Sequence, residues 1–125
     1  MFKVLIVEDD KFLSEMYAAK LTEAGFEMEA AYDGQEGFRM IGDLKPDLVL
    51  LDIVLPKMDG FEILRQVKAN PDLKNMKIVA LTNLGQKEEV EKGLTLGADD
   101  YIIKAHFTPT EVVAKVKKLL GAQVI

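Results

Sequence analysis

Short apolar runs alternate along this chain with longer segments of helical period, a pattern that a parallel sheet covered by helices satisfies and few other folds do. The runs are Lys3 to Val7, Phe26 to Ala31, Leu48 to Leu51, Lys77 to Leu81 and Tyr101 to Ile103. Four of them are rich in Val, Ile and Leu, as strands buried on both faces should be. The second, with Glu27 and Glu29 set among apolar neighbours, reads as an edge strand. Between the runs, Phe12, Leu13, Met16, Tyr17 and Leu21 recur at helical spacing, as do Val112, Val113, Val116, Leu119 and Leu120. Each set predicts a helix with one buried face. The segment Gln86 to Leu96 carries a thinner stripe, Val90 and Leu94, and is expected to be the least firmly held helix.

Punctuation agrees with this division. Gly25 and Gly97 stand where a left-handed residue closes a helix, and Asn70-Pro71 stops the helix that begins near Phe61. Asp10 is placed to cap the first helix and Thr108 the last, with Pro109 in its first turn. At 125 residues without a repeat or linker, one domain over 1–125 is expected, with 121–125 as a short tail and no room for an output domain. A net charge of -5 without a basic run argues against direct binding to nucleic acid or an anionic membrane. No apolar stretch approaches the roughly 20 residues of a membrane span. The cysteine-free chain fits a reducing compartment, so cytoplasm is its expected home.

In an open parallel sheet, ligands bind beyond the carboxyl ends of the strands, where the strand order reverses. Those ends carry Glu8, Asp9 and Asp10 after the first strand, Asp52 after the third, Thr82 after the fourth and Lys104 after the fifth. Taken singly each has an ordinary reading: a cap, a solvated strand end, a turn residue, a surface charge. Taken together they are complementary. Two carboxylates about 4 Å apart repel by roughly 4 kcal/mol at an effective dielectric near 20, so Glu8, Asp9 and Asp52 call for a cation. An all-oxygen donor set suits Mg²⁺ or Mn²⁺. With Lys104 as a second positive charge and the Thr82 hydroxyl as donor, the set describes a site for a transferring phosphoryl group. Asp52 is the nucleophile that forms an acyl phosphate.

The segments Val7-Glu8-Asp9-Asp10, Leu51-Asp52-Ile53-Val54-Leu55-Pro56, Met58-Asp59-Gly60, Leu81-Thr82 and Gly97-Ala98-Asp99-Asp100-Tyr101 leading to Lys104 resemble the receiver domain of two-component response regulators. The resemblance covers essentially the whole chain. It implies a flavodoxin-like doubly wound (βα)5 fold with strand order 2-1-3-4-5, in a stand-alone regulator similar to those of chemotaxis. It also implies that Asp52 accepts phosphate from a sensor histidine kinase or phosphotransfer protein. Asp9, Asp52 and the Val54 backbone carbonyl would be direct metal ligands, with Glu8 acting through water. Thr82 and Tyr101 would be the switch pair, Lys104 would hold a phosphate oxygen, and a downstream effector protein would read the result. Beyond self-phosphorylation from a phosphodonor and loss of that phosphate, no enzyme activity is implied.

Two departures from the family pattern set further expectations. Ala105 stands where the family has proline after the lysine. A cis bond costs about 2.5–4 kcal/mol before a non-proline residue against about 0.5–1 before proline. A trans bond is therefore expected, with the loop from Lys104 to Pro109 on a different path, a departure that bears on the Lys104 contact more than on the Asp52 chemistry. His106 in that loop reads as an exposed spacer. Val54 and Leu84 are apolar where some relatives carry polar groups that place water, so slow loss of phosphate from Asp52 is expected. Three rivals remain at this point: a flavodoxin-like electron carrier, disfavoured by acids where a phosphate loop should be; a phosphohydrolase, disfavoured by Val54 at the acid position; and a receiver-like interaction module regulated without phosphorylation, which Ala105 keeps open.

Overall fold

The computed structural model describes residues 1–121, so the tail expected beyond Gly121 lies outside the described residues. Five parallel strands, β1 (Lys3–Val7), β2 (Glu27–Ala31), β3 (Leu48–Leu51), β4 (Lys77–Thr82) and β5 (Asp100–Ile103), form one sheet. Their order is β2-β1-β3-β4-β5, the predicted doubly wound arrangement with β2 at an edge. The helices between them are α1 (Lys11–Glu23), α2 (Gly34–Leu44), α3 (Gly60–Ala69), α4 (Lys87–Thr95) and α5 (Pro109–Leu120).

Strand side chains alternate between two cores, which is why β3 and the inner positions of β1 and β4 are apolar one after another. Leu5, Val7, Val49, Leu51 and Ile78 pack with Ile41 of α2 and Ile63, Leu64 and Val67 of α3. Val4, Ile6, Leu48, Leu50, Val79, Leu81 and Ile102 pack on the opposite face with Tyr17 and Leu21 of α1 and Val112 and Val116 of α5. Each such fully buried aliphatic side chain contributes about 1.5–3 kcal/mol.

The caps fall where the sequence places them. The Asp10 carboxylate accepts from Leu13 N–H, and Thr108 and Glu111 form a capping box around Pro109. Gly25 and Gly97 adopt φ of +100° and +110°, the left-handed turn that lets each chain leave its helix for the next strand. Asn70 ends α3 in extended backbone.

Two helix faces differ from expectation. Phe12 is 75% exposed, because the buried face of α1 is centred on Ser14, Tyr17 and Leu21 and Phe12 lies about 200° round the helix from Ser14. Leu94 is exposed as well, and only Gly93 of α4 is fully buried. The apolar stripe of α4 is thus reduced to a half-buried Val90, with Gly93 its most buried position.

Candidate functional site

Sheet register assembles the site. Val7 is level with Leu51 and Thr82 with Ile103, so the residues that follow, Glu8, Asp52 and Lys104, leave the same edge of the sheet. Backbone bonds hold the first two in place: Asp52 N–H donates to the Val7 carbonyl at 3.0 Å and Glu8 N–H to the Ala31 carbonyl at 3.0 Å. The strand order reverses between β1 and β3, where these acids stand. Glu8, Asp9, Asp10, Leu13, Asp52, Val54, Thr82, Asn83, Leu84 and Lys104 line an open cleft of about 430 Å³.

Glu8, Asp9 and Asp52 each present a carboxylate oxygen within 4.8 Å of the others. Glu8 and Asp52 are buried while Asp9 is exposed. The Lys104 ammonium donates to Asp52 Oδ2 at 2.9 Å and also to Glu8 Oε1. The remaining oxygens are occupied from the backbone: Asp10 N–H donates to Glu8 Oε2 at 3.1 Å and Val54 N–H to Asp52 Oδ1 at 3.2 Å.

Burial pushes the Glu8 carboxyl up from its ordinary range, and the neighbouring Asp52 charge adds to this. The bonds from Lys104 and Asp10 N–H pull the other way without cancelling it. For Lys104 burial works against the charge, yet its bonds to Glu8 and Asp52 carry its pKa above the ordinary lysine value. One ammonium among three carboxylates leaves the rim negative. Two oxygens on one Mg²⁺ at about 2.1 Å lie at most about 4.2 Å apart, so the 4.8 Å spread fits a shared cation after a small side-chain adjustment or through one water. The donor set is thus suited to a hard divalent ion.

The loop after β5 has the trans bond expected of it. No peptide bond among the described residues is cis, and residues Lys104–His106 make one turn of 3₁₀ helix. That turn sets the Lys104 ammonium on Asp52, so Ala105 after the lysine does not remove Lys104 from the site. His106 is exposed, as a spacer should be.

Leu84 has a part that sequence reasoning did not assign. The Tyr101 hydroxyl donates to the Leu84 carbonyl at 2.8 Å, and Leu84 N–H donates to Thr82 Oγ1 at 3.4 Å. The Leu84 backbone therefore joins the two residues named as a switch pair. Burial, with the Glu89 and Asp52 charges adding to it, raises the Tyr101 pKa to about 12, so the hydroxyl keeps its proton for that bond. No side-chain pattern could have disclosed this, because the contact is made through a peptide group. Asp99, to which the sequence assigned no role, accepts from Ile78 N–H at 2.8 Å and faces Lys68 at 3.4 Å, tying α3, β4 and the approach to β5 together.

The sequence matches the family model for the response regulator receiver domain over residues 4–117. The chain belongs to the response regulator receiver family. It is 46% identical to the transcriptional regulatory protein CusR of Escherichia coli over 98% of this chain and 54% of that protein. Identity to the phosphate regulon transcriptional regulatory protein PhoB of Pseudomonas aeruginosa is 41%, over 94% of this chain and 51% of that one. The chain thus spans about half the length of the curated relatives it matches. Among solved structures, a response regulator receiver domain protein from Methanospirillum hungatei superposes with a TM-score of 0.90 at 31% identity, covering 97% of this chain and 94% of that one. A receiver is a phosphorylation-activated switch that binds a divalent metal, and this receiver carries an acidic cluster of Glu8, Asp9 and Asp52. No helix among the described residues is long and apolar enough to cross a membrane.

Proposed function

We propose that this receiver accepts a phosphoryl group on Asp52 from the phosphohistidine of a sensor histidine kinase or phosphotransfer protein. The proposal extends to Mg²⁺ as the metal, to a cytoplasmic setting and to a downstream effector protein as reader. The observation that carries it is the convergence of Glu8, Asp9 and Asp52 within 4.8 Å while Lys104 bonds Asp52. Asp52 Oδ1 is already oriented by Val54 N–H and Oδ2 by Lys104. An Asp52 oxygen bonds to phosphorus as the bond from phosphorus to the donor nitrogen breaks. The nitrogen keeps the electron pair, and the imidazole, protonated on its other ring nitrogen before transfer, leaves in its neutral form. Glu8, Asp9, Asp52 and the Val54 carbonyl would hold Mg²⁺, which when bound screens the acids from the incoming phosphoryl charge.

Phosphorylation adds about -1.5 to -2 charges beside Thr82 and Lys104, and both can donate to the new oxygens. Among the described residues Thr82 Oγ1 accepts one long bond, at 3.4 Å from Leu84 N–H, so little holds it back. Its displacement frees the Leu84 amide, one peptide unit ahead of the Leu84 carbonyl to which Tyr101 is bonded. The surface of α4, β5 and α5 then changes for the effector.

Incubation with acetyl phosphate and Mg²⁺ followed by intact mass tests the chemistry. One added phosphate that Asp52→Asn abolishes is the expected result. A chain that gains none, or a D52N variant that gains as much as the unsubstituted chain, refutes the proposal.

A further inference from the structure

We propose that Gly93 is a positioning residue for Tyr101: the absent side chain in the middle of α4 is the seat of the ring. The inference rests on the reading of Tyr101 as a switch and adds the element that decides where its ring can stand. A Cβ built at Gly93 would meet Tyr101 Cδ2 at 2.8 Å and Cε2 at 2.9 Å, closer than side-chain carbons approach. The Phe61 ring of α3 stands 3.7 Å from the same point, and the Lys92 ammonium lies 4.5 Å over the Phe61 centroid. The seat is therefore bounded by Gly93 and Phe61, and the hydroxyl is tethered to the Leu84 carbonyl.

Helix stability does not explain this glycine. Glycine is a poor helix former, and α4 already has few apolar anchors, so alanine at 93 should strengthen the helix if nothing faced it. The neighbour that fills the space is one rotatable side chain, not backbone. An alanine at 93 is thus accommodated by turning Tyr101 outward, which breaks its bond to Leu84. Gly93 makes the inward ring possible, and with it the contact that links β5 to the loop ahead of α4. Charged groups near the seat are Glu89 and Lys92 from α4 and Asp52 just after β3, none of which needs to change its ionisation for the ring to move.

The test uses the whole chain with 3-fluorotyrosine, the Tyr101 line among the three tyrosines being assigned by Tyr101→Phe. Gly93→Ala should move the Tyr101 fluorine line to the position of an exposed tyrosine while uptake of phosphate from acetyl phosphate stays within about twofold. A denaturation cycle supplies the second measurement. With Tyr101 present, Gly93→Ala should lower the urea midpoint; with Tyr101→Ala it should raise the midpoint, because only the helix-forming effect is left. An unmoved fluorine line, or an equal midpoint shift in both backgrounds, overturns the proposal. Failure of the unsubstituted chain to take up phosphate would count against the function proposed for Asp52, whereas the ring line and the cycle judge Gly93 by themselves.

Discussion

Replacing Lys104 by methionine keeps most of the side-chain volume and removes the one ammonium that bonds both Glu8 and Asp52. Their carboxylate oxygens, 4.8 Å apart or less, would then repel by at least about 3.5 kcal/mol at an effective dielectric of 20. The protein has one escape, which is to protonate Glu8. Starting from the ordinary value of 4.5, that costs about 3.4 kcal/mol at pH 7, so either route gives a loss near 3 kcal/mol. The sign with pH follows from the escape. A carboxyl whose pKa is raised on folding destabilises nothing below its unfolded pKa, and the penalty grows by about 1.4 kcal/mol per pH unit above it until the folded pKa is reached. Urea denaturation in EDTA should show a loss of about 3 kcal/mol at pH 7, or about 2 M in midpoint at a slope near 1.5 kcal/mol/M. Near pH 5.5 the loss should shrink to about 1.4 kcal/mol. Saturating MgCl₂ should recover most of it, because the cation replaces the lost charge. Equal losses at both pH values, or a loss that Mg²⁺ leaves untouched, would mean that Lys104 contributes packing rather than charge balance.

Other outcomes follow from the same geometry. Asp52→Asn removes one of the three crowded charges and should stabilise the metal-free chain at pH 7 while weakening Mg²⁺ binding at least tenfold, measurable by calorimetry. Val54→Asn should speed loss of phosphate from Asp52 severalfold or more in a stopped-donor assay; a valine wall cannot be the whole reason, since Val54 is 60% exposed at the mouth of an open cleft, and what it lacks is a polar group to hold water. An unchanged rate would remove that residue from the account. Gly34→Ala would set a Cβ 1.6 Å from the Met58 carbonyl oxygen, and should destabilise by about 3 kcal/mol while shifting the Asp59 and Met58 amide resonances.

How much was legible depended on whether local physics or packing decided the matter. The five units could be read because strand burial on both faces leaves continuous apolar runs, and the caps at Asp10 and Thr108 because a helix end needs its amides satisfied within three residues. The identities at the rim could be read because each strand of a parallel sheet ends on the same side, which puts Glu8, Asp52, Thr82 and Lys104 on one edge by topology alone. Phe12 was misplaced because its apolar character matched the helical count, while only the packed sheet shows that Ser14, Tyr17 and Leu21 define the inner face.

Sequence by itself determined the order of elements, the edge strand and the acids at the strand ends, since these follow from periodicity and chain direction. Only the tertiary structure decided that a trans bond after Lys104 still delivers its ammonium to Asp52, that Leu84 joins Thr82 to Tyr101, and that Gly93 makes room for the ring. Each of these is a contact of a few ångströms between residues distant in the chain, and such distances are set by how helices settle on the sheet, which no local pattern encodes.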